Sequence, residues 1–282
     1  MTYQIQSTLF GSKRSGRFGN QFFQLFFFHI LKDLLNCPIS LPVWTGQSVF
    51  KNHNFPDVTT VEKIFDLEGA YSRALGPEHT VDLIRSLAIS RPQIIDITGS
   101  FQFHTATLYK HRDVLTDKFI YTTEANEIGS IIDVIKESGQ LIAVHWREGD
   151  YNDFSNQHPY FWKPSIEQLL VALRDALKIT GSGSQIYLAS DDSSKLFEIL
   201  KKEGFKVICA EQISQNGANP FLLDFLALVK SDLLVASNST LSVAASLLNK
   251  NAKIFLRTDS PKGKFKDFSP WHTEVLINQF SK

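Results

Sequence analysis

From residue 141 onward, apolar runs of four to six residues alternate with longer stretches of helical spacing, and this alternation constrains the fold more than any other feature. Strands are expected over residues 141–146, 185–189, 206–209, 232–236 and 253–256, with helices over 165–179, 194–203, 221–230 and 241–248. A strand that returns parallel to its predecessor needs a crossover of a dozen or so residues, which a helix supplies. Repeated units of this kind build a parallel sheet. The first half shows a looser version of the same pattern. Strands are expected over 3–9 and 94–98, and helices over 20–36, near 81–88, and over 125–138. Pro38 stops the first helix, Gly99 ends the second strand, and residues 40–90 are otherwise irregular. A boundary between residues 138 and 139 separates the two halves.

The chain has 282 residues, 43% hydrophobic and 21% charged, enough for one large or two medium-sized domains and typical of a globular protein. Lys+Arg and Asp+Glu number 29 each, so no overall field recruits nucleic acid. Two cysteines, Cys37 and Cys209, make neither a disulfide framework nor a CxxC motif, which points to reduced thiols and a cytoplasmic location. There are 23 Phe, and the densest cluster lies between Phe22 and Leu31. That run is shorter than the roughly 20 apolar residues of a membrane span, and Gln24 and His29 interrupt it. A helix buried on most sides accounts for it. No integral membrane segment is expected, though peripheral association stays compatible with the sequence.

The segment His145-Trp146-Arg147-Glu148-Gly149-Asp150-Tyr151 follows the first strand of the regular half. It delivers a His, an Arg and acids to the carboxyl edge of a sheet, where open α/β proteins bind ligands. An Arg there suits a phosphate, because its planar fork bonds two oxygens and keeps its charge. The alternative is a surface turn whose Arg pairs with a neighbouring carboxylate. Ser190-Asp191-Asp192 and Ser237-Asn238-Ser239-Thr240 follow two further strands. The first offers carboxylates to guanine or to ribose hydroxyls, or simply caps the next helix. The second offers hydroxyls and helix amides to a phosphate, or is likewise an N-cap. In the first half, Gly16-Arg17-Phe18-Gly19-Asn20-Gln21 lies between a strand and a helix, either as a close approach to a ligand or as a glycine hinge capped by Asn20.

Several chemistries drop out. Arg17-Phe18 stands where a P-loop requires Lys-Ser/Thr, and there is no GxGxxG, no GxSxG elbow and no HExxH helix. No His/Asp/Glu cluster has metal-ligand spacing; Glu148-x-Asp150 is a loose mimic of an Asp-x-Asp metal motif.

Taken together, these pieces resemble the α-1,2-fucosyltransferases of glycosyltransferase family 11 and, more distantly, the α-1,6- and protein O-fucosyltransferases. Gly16 to Gln24 is similar to the family's G-x-L-G-N-Q-x-F-Q, and His145 to Tyr151 to its H-x-R-R-G-D-Y. Ser190-Asp191-Asp192 matches S-D-D, and Asn238 to Ser242 resembles the start of N-S-T-F-S-W-W. The four blocks agree in order and spacing from residue 16 to about 250.

The resemblance implies an α/β protein of two Rossmann-like domains facing a cleft, the B-type glycosyltransferase fold. Residues 1–138 would be the acceptor side and residues 139–282 the donor-binding side. It implies GDP-fucose as donor substrate, a glycan as acceptor, and neither cofactor nor metal. Arg147 would hold the diphosphate; Arg17, His145, Asp191, Asp192, Asn238, Ser239 and Thr240 would complete the donor site. Asn20 matches a residue of the catalytic cleft, and Asp150 and Asp153 are the nearby carboxylates for an acceptor hydroxyl. The sequence departs from the family at Glu148, where a second Arg is usual, and at Val243-Ala244, where two Trp are usual. These departures keep open another nucleotide-sugar donor, or a non-catalytic glycan- or nucleotide-binding protein on the same scaffold. Nothing in the sequence specifies the acceptor or the oligomeric state.

Overall fold

The computed structural model describes residues 3–12, 16–51, 55–61, 63–68, 73–89, 94–154, 158–214 and 218–280. Of the glycine-rich stretch 11–19, residues 13–15 lie outside them. The chain divides into two compact units, Met1–Thr122 with Trp271–Glu274, and Thr123–Pro270 with Val275–Lys282.

The first unit contains β1 (Gln4–Gln6), α1 (Phe18–Leu35), β2 (Ile39–Ser40), β3 (Ile64–Asp66), α2 (Pro77–Ile89), β4 (Ile94–Thr98) and the short helices α3 (Thr105–Leu108) and α4 (Asp113–Lys118). Its four strands run parallel in the order β2-β1-β4-β3. The phenylalanine cluster explains α1. Phe22, Phe23, Phe26, Phe27 and Phe28 are all buried, because side chains cover more than one face of this helix. Phe22 meets Phe119 with ring centroids 4.8 Å apart, and Phe27 meets Phe101 at 4.3 Å. Each such ring contributes about 1.5–3 kcal/mol through burial alone. The helix ends at Asn36, which adopts a left-handed φ of 48° and returns its N–H to Lys32 O. Strands β2 and β3 arise within the stretch expected to be irregular. They are two and three residues long, too short to show a period.

The second unit follows the expected alternation closely. It contains α5 (Thr123–Glu137), β5 (Leu141–Trp146), α6 (Gly149–Phe154), α7 (Ile166–Thr180), β6 (Gln185–Ser190), α8 (Ser194–Lys202), β7 (Val207–Cys209), α9 (Ala210–Ile213), α10 (Pro220–Lys230), β8 (Leu233–Ala236), α11 (Thr240–Leu248), β9 (Ile254–Arg257) and β10 (Lys266–Asp267). The local reasons are plain in the sequence. A reciprocal Ser165–Gln168 capping box starts α7, and Pro220 sits in the first turn of α10 behind an Asn219 cap. The sheet order is β10-β9-β8-β5-β6-β7, parallel except for β10. Lys266 thus forms an edge strand where a loop is expected, and its amine meets Asp259 at 2.8 Å.

Helix α5 belongs with the second unit, so the division falls after Thr122, not after residue 138. Lys136 of α5 donates to Lys230 O at 2.7 Å and pairs with Asp232 at 2.8 Å. Its apolar face packs on α10, a partner that no local pattern could identify.

From β5 the chain proceeds outward to β6 and β7, then returns to place β8 and β9 on the other side of β5. The connections leaving β5 and β8 therefore diverge. Such a switch point leaves a crevice at the carboxyl edge.

Candidate functional site

Three of the motifs read from the sequence end on this edge of the second unit. β5 pairs with β6 so that Trp146 lies opposite Ser190, and with β8 so that Val144 lies opposite Val235. The residues after β5, β6 and β8 are therefore neighbours.

Arg147 is the centre of the arrangement. Its side chain is only 12% exposed; Nη2 donates to Asp150 Oδ1 at 2.6 Å, and Nη1 meets Asp191 Oδ2 at 2.8 Å. The guanidinium also lies 5.1 Å from the centre of the Tyr151 ring. Asp191 does a second job: its Oδ1 accepts the backbone N–H of Glu148 at 2.8 Å. Gly149, at φ 29°, lets the chain turn there, and a Cβ on it would come within 3.1 Å of Asp191 Oδ2. The expected turn after β5 is in fact the first residue of α6. Arg147 stands at the carboxyl edge of the sheet and is paired with two carboxylates. Asp191 is held by Arg147 and by the Glu148 amide.

Glu148 sits among donors. Its carboxylate accepts from Trp146 Nε1 at 2.6 Å and Asn152 Nδ2 at 2.7 Å, and it pairs with Lys163. Burial acts to raise its pKa, but the bonds from Lys163, Trp146 and Asn152 outweigh burial and hold it lower than usual. Lys163 thus neutralises the negative charge that Glu148 brings to the motif. The two acids of Glu148-x-Asp150 are engaged by different cations, Lys163 and Arg147.

His145 does not line the edge. It is 4% exposed, with Nδ1 2.6 Å from Ser242 Oγ and 2.9 Å from Ser237 Oγ. Ser242 Oγ also accepts the Ser237 N–H at 3.2 Å. Burial, aided by the Arg147 charge, depresses the imidazole pKa to about 3. The ring is a neutral strut that fixes the loop after β8. Tyr151 braces the same loop, donating to Asn238 O at 2.6 Å, and burial pushes its phenol up to about 12.

Asn238 is also a strut, where the sequence places it in the donor site. Its Nδ2 donates to Tyr160 O and Ile277 O, both at 2.9 Å. Its Oδ1 accepts from Arg257 Nη2 at 2.5 Å and from Ile277 N at 2.9 Å. Both donors and both lone pairs of the amide are thereby used. Ser239 is the N-cap of α11, its Oγ accepting from Leu241 N at 3.3 Å, and Thr240 is the first helical residue. Val243 and Ala244, in place of two Trp, are fully buried. Asp192 and Asp153 are exposed. Asp192 accepts from Ser194 Oγ at 3.1 Å, and Ser193, at the N-cap of α8, makes no capping bond and donates instead to Glu211 Oε1 at 3.0 Å.

Arg257 is the residue the sequence reading passes over. It ends β9 opposite Ala236, is 4% exposed, and also donates to Val275 O at 3.1 Å. The signal was available: like Arg147, it is an Arg directly after an apolar strand run.

In the first unit, α1 begins two residues earlier than expected. Arg17, exposed, is its N-cap and makes no side-chain cap bond. Asn20 therefore stands inside the helix and is not its cap; its Oδ1 accepts from Gln102 Nε2 at 3.1 Å. Gly16 has φ 82° and approaches so closely that a Cβ would lie 2.0 Å from Asn20 Nδ2. Gln21 ties the loop down, donating to Gly16 O at 2.8 Å.

No protein-family model matches the chain, and no curated protein matches its sequence. Its structure is similar to solved ones. Fucosyltransferase NodZ from Bradyrhizobium aligns over 95% of this chain and 99% of its own, with 13% identity and a TM-score of 0.57. NodZ soaked with GDP-fucose gives the same coverage, identity and score. POFUT1 in complex with GDP-fucose aligns over 90% of this chain and 98% of its own, with 12% identity and a TM-score of 0.59. The likeness is one of fold: the chain has the α/β architecture with parallel sheets of B-type glycosyltransferases.

Proposed function

We propose that this protein is a fucosyltransferase that moves fucose from GDP-fucose onto a hydroxyl of a glycan. The observation that carries the reading is Arg147, a nearly buried cation at the switch point of the second unit, beside a loop braced against the start of α11. The neighbours that share the fold include structures with GDP-fucose. The order of the four sequence blocks supports the α-1,2 linkage and an inverting course.

Breaking a sugar–phosphate bond leaves negative charge on the diphosphate. Arg147, Thr240 and the amides at the N-terminus of α11 supply fixed positive partners for that charge. His145, Tyr151 and Asn238 keep those amides in place. Asp192 takes over the nucleoside contact from Asp191. An acceptor hydroxyl attacking the opposite face of the sugar needs a base, and Asp153 fits better than Asp150, whose carboxylate holds Arg147. The first unit, with Asn20 presented by α1, takes the acceptor, and the second takes the donor. Both thiols are free and buried, and burial raises each to about 11, consistent with structural cysteines in the cytoplasm. Among the described residues no helix is long and apolar enough to cross a membrane.

The test is a panel of nucleotide sugars with a glycan array. GDP-fucose should be consumed and fucose transferred, and Arg147→Ala should lower kcat at least about 100-fold while the protein stays folded. Turnover of a UDP-sugar in preference to GDP-fucose refutes the donor. Glycan or nucleotide binding without turnover of any donor refutes the enzyme.

A further inference from the structure

Arg147 is already occupied. Its two carboxylate partners use the fork that a diphosphate would use, and together the three groups carry a net negative charge. The nearby Glu148 is balanced by Lys163 and adds nothing to offset this. A multiply charged anion arriving at Arg147 is therefore opposed until one carboxylate withdraws.

The two carboxylates are not equivalent. Asp191 directly follows β6, accepts the Glu148 amide, and has Gly149 packed against it. Moving it disturbs the backbone that presents Arg147. Asp150 is in the first turn of a six-residue helix, three residues from Arg147 on the same segment. A change of its rotamer withdraws the charge while the Asp191 bond to the Glu148 amide stays in place.

We propose that Asp150 is a place-holder for the diphosphate. It holds the Arg147 guanidinium in its working orientation, yields to the ligand's oxygens, and returns to help expel the product. Its charge thereby limits how tightly the nucleotide is held. This rests on the nucleotide-sugar reading above.

The test is calorimetric titration of the full chain with GDP and with inorganic pyrophosphate. Asp150→Asn keeps an oxygen for Arg147 but loses the charge. It should bind both probes about three- to tenfold more tightly and, in turnover, lower KM and kcat together as release becomes limiting. Unchanged or weaker binding overturns the proposal, since a mere prop for Arg147 can only lose affinity when altered. Tightening of equal size in Asp191→Asn overturns the assignment to Asp150. Wild-type protein that binds neither probe removes the nucleotide-sugar reading, and this inference with it. Wild-type binding with no gain in Asp150→Asn removes this inference alone.

Discussion

Acid should weaken the second unit through His145, and the size of the effect follows from where the ring sits. In the folded chain burial holds its pKa at about 3; in the unfolded chain it returns to about 6.5. Between those values the unfolded chain binds a proton that the folded chain excludes. Stability present above about pH 6.5 is therefore lost progressively as the pH falls toward 3. At about pH 5 the unfolded state gains a factor of about 30 from protonation, which is about 2 kcal/mol. The figure barely depends on the folded value, because any folded pKa below about 4 leaves the ring neutral at pH 5. Urea unfolding at about pH 7.5 and about pH 5, for wild type and for His145→Asn, isolates this contribution from the carboxylates common to both. Asn offers the Ser242 and Ser237 hydroxyls a partner without a titrating proton. Wild type should lose about 2 kcal/mol more than the variant over this interval. Equal losses, or an NMR titration of His145 with a midpoint near 6, would mean that the ring is hydrated and that its burial between β5 and the loop after β8 is not what keeps it neutral.

Asn238→Ala should cost about 2–4 kcal/mol, because it strips the amide from two carbonyls and from the buried Arg257 guanidinium at once; chemical denaturation reads this directly. Gly16→Ala should cost about 1–2 kcal/mol for its left-handed backbone, and should also displace Asn20, so that Tm falls and acceptor KM rises. Transfer activity should persist in excess chelator, because Arg147, Thr240 and the amides of α11 supply the positive partners of the diphosphate; a complete loss restored by divalent ions would refute that assignment.

What could be read along the chain was whatever depends on local burial. The strands and helices expected in the second unit came out within a residue or two, because a buried parallel strand is an unbroken apolar run and its crossover helix has a clear period; the short α6, α9 and β10 were not among them. The glycine-rich loop and its helix were also legible, although α1 starts at Phe18 because Arg17 already has extended backbone. β2 and β3 were not legible, because two or three residues cannot display a period. The association of α5 with α10 was hidden for another reason: an amphipathic face states that it needs a partner, not which one.

The sequence by itself determined the class of fold, the edge where the chemistry-bearing residues collect, and the place of Arg147 at that edge, since strand ends and charges are written in order along the chain. Only the tertiary structure decided what each polar group does there. Strand register sets Asp191 against Arg147 and the Glu148 amide, and it buries His145 behind Ser237 and Ser242. The return of the C-terminal segment to Asn238 and Arg257 turns an expected ligand contact into a strut. Hydrogen bonds and ion pairs hold only within about 3–4 Å and at favourable angles. They are therefore decided by where side chains from distant positions meet, which no local pattern encodes.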